Sequence, residues 1–203
     1  MVLDPFHMET RGRSGGTRED EWRLLDPLHG DTMLELGNKR NGDAIYKSYF
    51  ESLGYRHVSV DWNGLDGALK RDLRLPLWEE LGQFDMLTNI GTTEHVDGQA
   101  GVWENIHRMV KVGGIYCGLT PYPDGKNWWW HGDWYPTEAF FESFASLNGW
   151  VIERMYQDRQ PPFRNLYVRM RKLYECMGDK FTMPDIKLIK RNVIKPRSWN
   201  PPA

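Results

Sequence analysis

Short strand-like runs alternate along this chain with longer stretches whose apolar residues recur at helical spacing. Five runs have the length of a buried strand: TMLEL, HVSVDW, ALKRDL, FDMLTNI and GIYCGLT. Between them, apolar residues lie three or four positions apart, as in an amphipathic helix; one example is Ile45, Tyr49, Phe50 and Leu53. Strands that alternate with helices predict a parallel sheet with helices on both faces.

Start and stop signals bound the predicted helices. A short helix is predicted over 18–25, ahead of the first strand. The helix after FDMLTNI is expected to end near Gly113-Gly114, and a short one is expected around 77–81. Thr137 can cap a later helix, which Gly149 ends.

The last two strand-like runs break the alternation. WVIERMYQD and NLYVRMRKL are separated only by RQPPFR, which is too short for a crossover helix. They are therefore expected to pair as an antiparallel hairpin at the edge of the sheet. The predicted fold is one α/β domain: a doubly wound, seven-stranded, mostly parallel sheet with a C-terminal antiparallel β-hairpin.

The length of 203 residues suits a single core. We expect an N-terminal arm and cap helix over 1–30, the α/β domain over 31–175, and a basic, proline-containing tail over 176–203. The chain has no run of eighteen apolar residues, and its start lacks the apolar middle of a secretory signal. These features favour the cytoplasm and no membrane association, with the two cysteines as free thiols.

Charge is unevenly distributed. The net charge of −2 gives no indication of nucleic-acid binding, yet residues 164–203 contain ten basic and three acidic residues. Such a segment is either a solvated tail or a surface for an anionic partner, so nucleic acid stays open as a partner. The oligomeric state cannot be predicted.

Gly37 follows the first predicted strand, where a doubly wound sheet binds its ligand. A glycine there lets the backbone turn sharply and approach the ligand. Gly37 and Gly42 have the spacing of a mononucleotide loop, but the Lys and hydroxyl residues that should follow are missing. A dinucleotide fingerprint also lacks its middle glycine.

A nucleoside without phosphate fits the sequence better. Asp61 lies at the end of the second strand with Trp62 beside it, and Asp72 lies further on, near the end of the third predicted strand. A carboxylate accepts two ribose hydroxyls well, whereas it repels a phosphate. The aromatic ring can pack on the purine, and the second acid can accept its exocyclic amine.

The chain from about 32 to 173 resembles the class I S-adenosylmethionine-dependent methyltransferases. The resemblance is carried by LELG, VSVDW, RDLRLPL, FDMLTNIGTTEHV, VKVGGIYCGLTP and the final hairpin, and TEHV is similar to the LEHV segment of the small-molecule branch. It implies S-adenosylmethionine as cofactor and a small-molecule acceptor. One departure is Lys39, which stands where the family has its second glycine.

The resemblance also implies residue roles. Glu35 holds the turn and the amino-acid end of the cofactor, Asp61 binds the ribose, and Trp62 packs on adenine. Asp72 and the amide of Leu73 read the adenine edge. The full set of predicted cofactor-binding residues is Glu35, Gly37, Asn38, Asp61, Trp62, Asp72, Leu73, Asn89 and Gly91, the last two lying along the methionine portion.

Methyl transfer needs mainly alignment of acceptor and methyl group, worth about 7–11 kcal/mol, and a base only if the acceptor loses a proton. His95 and His131 are candidate bases, and Glu94 could orient either. His95 could instead cap a loop, and His131 could serve in a lid formed by NWWWHGDWY. Glu94, His95 and Asp97 are too closely spaced to favour a metal site.

Three alternatives remain open from sequence. A nicotinamide-dependent oxidoreductase is disfavoured by the missing glycines and by the hairpin. A non-catalytic or non-methylating cofactor-binding protein of the same fold is suggested by the altered first turn. A nucleic-acid methyltransferase is supported only by the basic tail.

Overall fold

The computed structural model describes residues 24–25, 27–38, 40–41, 44–122, 132–157, 165–175, 180–185 and 189–190. None of the helices within these ranges is long and apolar enough to span a membrane. The elements in chain order are β1 (Thr32–Leu36), β2 (Arg40–Asn41), β3 (Ala44–Ile45), α1 (Tyr46–Ser52), β4 (Arg56–Asp61), β5 (Leu69–Lys70), α2 (Trp78–Leu81), β6 (Phe84–Ile90), a 3₁₀ turn (Thr93–His95), α3 (Gln99–Met109), β7 (Val110–Pro121), β8 (Trp134–Tyr135), α4 (Glu138–Asn148), β9 (Trp150–Gln157), β10 (Asn165–Lys172) and β11 (Ile189–Lys190).

Seven strands form the main sheet, in the order β5-β4-β1-β6-β7-β10-β9. Strands β5, β4, β1, β6 and β7 are mutually parallel, while β10 is antiparallel to β7 and β9 is antiparallel to β10. The predicted α/β fold with a C-terminal hairpin is therefore confirmed. The hairpin places β10 inside the sheet and β9 at its edge.

Most predicted elements are present, with some changed bounds. The third strand is reduced to Leu69–Lys70. Helix α3 ends at Met109 and not near Gly113-Gly114, because the chain already joins the sheet at Val110, opposite Phe84 of β6. Of the helix predicted over 18–25, Leu24 and Leu25 are helical and the rest lies outside the described residues.

Helix α4 has the predicted ends. The side-chain oxygen of Thr137 accepts the N–H of Phe140 at 3.2 Å, which satisfies a donor of the first turn. Gly149 ends the helix with a φ of 72°, a left-handed conformation that a glycine adopts without steric cost.

The sheet buries an apolar core on each face, because alternate residues of a strand point to opposite sides. Leu34 of β1 belongs to one core and its neighbour Met33 to the other. In the first core Trp103 of α3 packs on Phe140 and Phe144 of α4, with ring centroids 4.8 and 5.3 Å away. These helices cover one face of the sheet, so the ends of the strands remain available to form sites.

Arg169 of β10 fixes the segment that precedes β1. Its guanidinium is buried and donates to the carbonyls of Leu24 and Leu25, each at 3.0 Å, and of Pro27 at 2.9 Å. Glu153 of β9 accepts from the same guanidinium at 2.9 Å. The described part of the predicted cap helix is thus tied to the central sheet by a satisfied buried charge.

The amino ends of the parallel strands form an edge that we call the amino edge. Asp85 of β6 accepts both the N–H and the hydroxyl of Thr32, at 3.0 and 2.8 Å, and the ammonium of Lys111 at 2.7 Å. These partners hold the pKa of the Asp85 carboxyl far below its usual range, against an opposing effect of burial.

Lys172 and Trp150 complete the amino edge. The buried Lys172 ammonium donates to the carbonyls of His107 and Val110, at 2.9 and 3.0 Å, and to Glu175 at 2.8 Å. The indole N–H of Trp150 donates to Nδ1 of His107 at 3.0 Å. Charges here are paired within the protein.

Candidate functional site

The carboxyl ends of β1, β4, β5 and β6 form the opposite edge of the sheet, which we call the carboxyl edge. The strand ends are neighbours: Gly37 donates to the carbonyl of Val60 at 2.8 Å, and Arg71 donates to the carbonyl of Asp61 at 3.1 Å. Residues that follow these strands therefore surround one region, as expected for a doubly wound sheet.

The turn at Gly37 is shaped by Thr92 from the loop after β6. The hydroxyl of Thr92 donates to the carbonyl of Leu36 at 2.9 Å. Gly37 has a φ of 85°, and a Cβ there would lie 2.2 Å from the Thr92 oxygen. Glycine is therefore required both by the backbone conformation and by the close contact with Thr92.

Asn38 connects two loops of the carboxyl edge. Its side-chain N–H donates to the carbonyl of Leu65 at 3.0 Å, so the turn after β1 is tied to the loop after β4. Lys39 stands where the family that the sequence resembles has its second glycine, and it lies outside the described residues.

Glu35 lies inside the protein, beneath the turn. It is 1% exposed, and its Oε2 is 3.3 Å from Nε2 of the buried His57 on β4. The His57 ring stacks on Phe50 of α1, with the ring centroids 5.8 Å apart. This pair links β1, β4 and α1; that Glu35 holds the turn for a cofactor stays a prediction.

Asp61 and Trp62 occupy the end of β4. Asp61 is partly exposed, and its Oδ1 accepts the N–H of Asn63 at 3.0 Å. The Trp62 side chain is 67% exposed, although tryptophan is usually well buried. Its neighbour Leu65 is 62% exposed, so an apolar surface adjoins a carboxylate.

Asp72 follows β5 and forms a bidentate pair with Arg74. The guanidinium nitrogens of Arg74 lie 2.6–3.0 Å from the carboxylate oxygens, and the Arg74 N–H also donates to Oδ1 at 3.0 Å. Arg74, through these hydrogen bonds, lowers the pKa of the Asp72 carboxyl below its usual value. The next residue, Leu73, has a buried side chain.

Asn89, the next-to-last residue of β6, has a buried side chain. Its Nδ2 donates to the hydroxyls of Thr93 and Tyr116, at 2.8 and 3.2 Å, and its Oδ1 accepts the N–H of Thr93 at 3.2 Å. The side chain is thus used to hold the 3₁₀ turn. Gly91, with a φ of 71°, lies two residues further on, and its N–H donates to the carbonyl of Leu119 at 2.9 Å.

Glu94 and His95 lie in the 3₁₀ turn next to Gly91. Glu94 is 1% exposed, and its Oε1 is 3.7 Å from Nε2 of His95, whose side chain is 46% exposed. Burial of the ring lowers the pKa of His95 below its ordinary value. The Asp133 N–H donates to the Glu94 carbonyl at 2.8 Å, which brings the described end of the aromatic segment over this turn.

Several predicted features cannot be placed. His131 and most of the NWWWHGDWY segment lie outside the described residues. Within the described residues, no group of three or more His, Cys, Asp or Glu side chains could hold a metal ion.

Three residues that support the carboxyl edge from within the protein were missed from sequence: His57, Thr92 and Asn105. His57 and Thr92 act through partners on other strands, which the sequence does not reveal. Asn105, on α3, binds the loop after β5 (Leu77 N–H to Oδ1, 2.8 Å). Its position one helical turn from Gly101 was the only available signal.

Four of the predicted site residues at the carboxyl edge are acidic: Glu35, Asp61, Asp72 and Glu94. Two of them are buried and two are partly exposed. Two arginines that follow β5 are each paired with a carboxylate, Arg71 with Glu80 and Arg74 with Asp72. Carboxylates at these positions favour a cationic or uncharged ligand over a phosphate.

Comparison with known proteins gives structural matches only. No protein-family model matches the sequence, and no curated protein sequence does. A Burkholderia thailandensis 1,6-didemethyltoxoflavin-N1-methyltransferase, bound to 1,6-didemethyltoxoflavin and S-adenosylhomocysteine, matches with a TM-score of 0.58 and 17% identity over 76% of this chain and 77% of its own. The N-methyltransferase NodS of Bradyrhizobium japonicum matches with a TM-score of 0.56 and 14% identity over 76% of this chain and 95% of its own. These likenesses show that the chain has the fold of class I S-adenosylmethionine-dependent methyltransferases, as the sequence predicts.

Proposed function

We propose that this protein binds S-adenosylmethionine at the carboxyl edge and transfers its methyl group to a small molecule. The observation that carries the proposal is the pair of neighbouring strand ends that bear Asp61, Trp62 and Asp72. In this fold, that position suits an adenosine: Asp61 accepts the ribose hydroxyls, and the exposed Trp62 ring covers one face of the purine. Asp72 and the Leu73 amide read the adenine edge.

The acidic character of the edge supports a cofactor that carries positive charge. A sulfonium and an ammonium group are attracted by carboxylates, whereas the phosphates of a nicotinamide dinucleotide are repelled. Gly37 and Gly91, with the backbone around them, are proposed to line the methionine portion, together with Asn38.

Methyl transfer is a displacement in which a lone pair of the acceptor forms a bond to the methyl carbon while the carbon–sulfur bond breaks. The sulfur keeps the electron pair and becomes a thioether. His95 is proposed to take the proton that an acceptor O–H or N–H loses, since its lowered pKa keeps the imidazole neutral near pH 7. Glu94, 3.7 Å away, orients it. His131 remains a second candidate base.

Small-molecule acceptors are supported by the structural neighbours, one of which holds 1,6-didemethyltoxoflavin. A cytoplasmic location belongs to the same proposal, because Cys117 is a free thiol in the interior, as expected in a reducing compartment.

Isothermal titration with S-adenosylmethionine, S-adenosylhomocysteine and NAD tests the cofactor. Binding of the two adenosyl compounds with no heat from NAD is expected. Binding of NAD alone would contradict the proposal and favour an oxidoreductase.

Transfer of a labelled methyl group from S-adenosylmethionine into a pool of small metabolites tests the reaction. His95→Gln should slow transfer to an acceptor that loses a proton, while His29→Gln, which alters a histidine near the amino edge, should not. Tight cofactor binding without transfer to any acceptor would instead favour a non-methylating binding protein.

A further inference from the structure

Helix α3 holds the loop that follows β5 through a single buried asparagine. The Asn105 side chain is 1% exposed, and its Nδ2 donates to the carbonyls of Leu73 and Leu75, at 2.7 and 2.8 Å. Its Oδ1 accepts the N–H of Leu77 at 2.8 Å. Both N–H donors and the oxygen of the amide are therefore used on one loop.

A glycine on the same helix leaves room for that loop. A Cβ at Gly101 would lie 2.7 Å from the carbonyl oxygen of Arg74, so only a glycine allows this approach. Gly101 and Asn105 are four residues apart in α3, which places them on one side of the helix. We call these two residues the α3 clamp.

The clamped loop begins at the residues proposed to read adenine. The Asn105 side chain donates to the carbonyl of Leu73. The N–H of Leu73 is the proposed donor to the purine ring nitrogen. Gly101 meets the backbone of Arg74, the residue that holds the Asp72 carboxylate. A shift of the loop would therefore move the Leu73 N–H and the Asp72 carboxylate together, and these are the proposed donor and acceptor for adenine.

We propose that Asn105 is a positioning residue that sets the cofactor's base specificity, by fixing the Asp72–Leu73 segment against the adenine edge. The inference rests on the proposed cofactor and deepens it. Asn105 does not touch the cofactor; it acts through the Leu73 carbonyl. Aspartate could not replace it, since a carboxylate cannot donate to the carbonyls of Leu73 and Leu75.

Base specificity gives a readout that a purely structural role would leave unchanged. In S-inosylhomocysteine, oxygen replaces the exocyclic amine and the neighbouring ring nitrogen carries a proton. The Asp72 carboxylate then faces an oxygen and the Leu73 N–H faces another N–H, so neither proposed hydrogen bond can form. A site built for these hydrogen bonds binds such an analogue much more weakly. The ratio of its Kd to that of S-adenosylhomocysteine measures how well the segment is positioned.

Asn105→Asp and Asn148→Asp form a matched pair. Asn148 is also a buried helix asparagine that grips a loop: Nδ2 donates to the Thr182 carbonyl and Oδ1 accepts the Thr182 N–H, both at 2.8 Å, beside the amino edge. Asn105→Asp should lower the Kd ratio about tenfold or more, the scale of one lost hydrogen bond. Asn148→Asp should lower stability and leave the ratio unchanged.

Gly101→Ala tests whether α3 sets base specificity without removing a polar group. Its Kd ratio provides the test if Asn105→Asp fails to fold. Its control is Gly114→Ala, where a Cβ would lie 2.8 Å from the backbone oxygen of Lys111 near the amino edge. Gly101→Ala should reduce the Kd ratio and Gly114→Ala should not.

An unchanged ratio in the folded α3-clamp variants would overturn the inference while leaving the cofactor proposal intact. A wild-type protein that binds neither compound would instead contradict the proposed function, and the inference with it. The two failures are thus distinguished by the wild-type measurement alone.

Discussion

The two edges of the sheet treat charged and aromatic side chains in opposite ways. At the amino edge, Lys172 is fully buried and donates to three acceptors, and the indole of Trp150 is 5% exposed and donates to His107. At the carboxyl edge, Trp62 is 67% exposed beside the partly exposed Asp61. Both edges have tryptophans and charges, but the amino edge buries Trp150 and Lys172 while the carboxyl edge leaves Trp62 and Asp61 accessible.

The difference has a physical reason. Buried charges and indole groups that find partners inside the protein stabilise the fold and have little capacity left for a ligand. An exposed ring next to a carboxylate contributes little to stability but offers a surface to a ligand. Substitutions at the amino edge should therefore change stability, and those at the carboxyl edge should change binding.

The largest effect is expected from the two tryptophans. Trp150→Ala removes a buried ring that packs on Phe144 and His107 and should lower the free energy of unfolding by about 3–5 kcal/mol. Trp62→Ala should change it by less than about 0.5 kcal/mol, because the ring is mostly in solvent. Denaturant titration measures both changes.

In return, Trp62→Ala should weaken S-adenosylhomocysteine binding about tenfold, the lower end of what a stacked base contributes. Titration calorimetry measures the affinity. Comparable stability losses for the two variants, with unchanged affinity for Trp62→Ala, would show that the edges do not differ.

The next effect comes from two aspartates at opposite edges. Asp61→Asn should weaken cofactor binding about 100-fold, because a carboxylate that accepts two hydroxyls is replaced by a neutral amide. Asp85→Asn should instead cost about 1–3 kcal/mol of stability, since it weakens hydrogen bonds to Thr32 and Lys111.

Calorimetry and thermal unfolding on both aspartate variants provide the reciprocal controls. An Asp61→Asn protein that binds as tightly as wild type would remove the central contact of the proposed site.

The sequence predicted the fold better than the contacts within the site. Strands and the hairpin follow from local periodicity and loop length, and Gly37, Asp61 and Asp72 follow from the rule that ligands lie at strand ends. Asn105 and Thr92 were not found, because each acts on a backbone carbonyl more than thirty residues away in the chain. Such partners depend on how α3 and β6 pack, which local patterns do not specify.

The Asp72–Arg74 pair shows the same limit. The acid was predicted from its place beyond Asp61 and Trp62, near the end of the third predicted strand, but its arginine partner, two residues further on, was not. A pair at this spacing forms only if the loop turns back on itself, and here α3 holds the loop in that turn.

A third effect is the pH dependence of stability at the amino edge. Burial, with the nearby Lys172 charge, lowers the pKa of His107 to about 4, from the ordinary 6.5. The unfolded chain then binds a proton that the folded protein excludes, so stability is complete above about pH 6.5 and falls as the pH drops toward 4. Glu175 opposes the shift but does not cancel it.

His107→Gln should remove this part of the decline, on the order of 1–3 kcal/mol between pH 7 and 4.5. Urea titrations across that range measure the slope in both proteins. Because the pKa of His95 is also lowered by burial, the difference between the two slopes is the relevant quantity. Identical slopes would contradict the prediction.

The smallest effect concerns the pH dependence of binding at the carboxyl edge. Arg74 lowers the pKa of Asp72 by hydrogen bonding, so the carboxylate that is proposed to accept the adenine amine stays ionised as the pH falls toward its ordinary pKa. Arg74→Gln removes the guanidinium's part of that effect and keeps the backbone N–H, so its loss of S-adenosylhomocysteine affinity should begin at a higher pH than in wild type. Calorimetric titrations between pH 8 and 4 compare the two profiles. Arg71→Gln, which breaks the pair with Glu80 and a hydrogen bond to the Lys70 carbonyl at the same edge, serves as the control and should follow the wild-type curve. A wild-type curve for Arg74→Gln would mean that Asp72 does not contact the cofactor through its charged form, and the carboxyl edge would lose one of the two acids that set it apart from the amino edge.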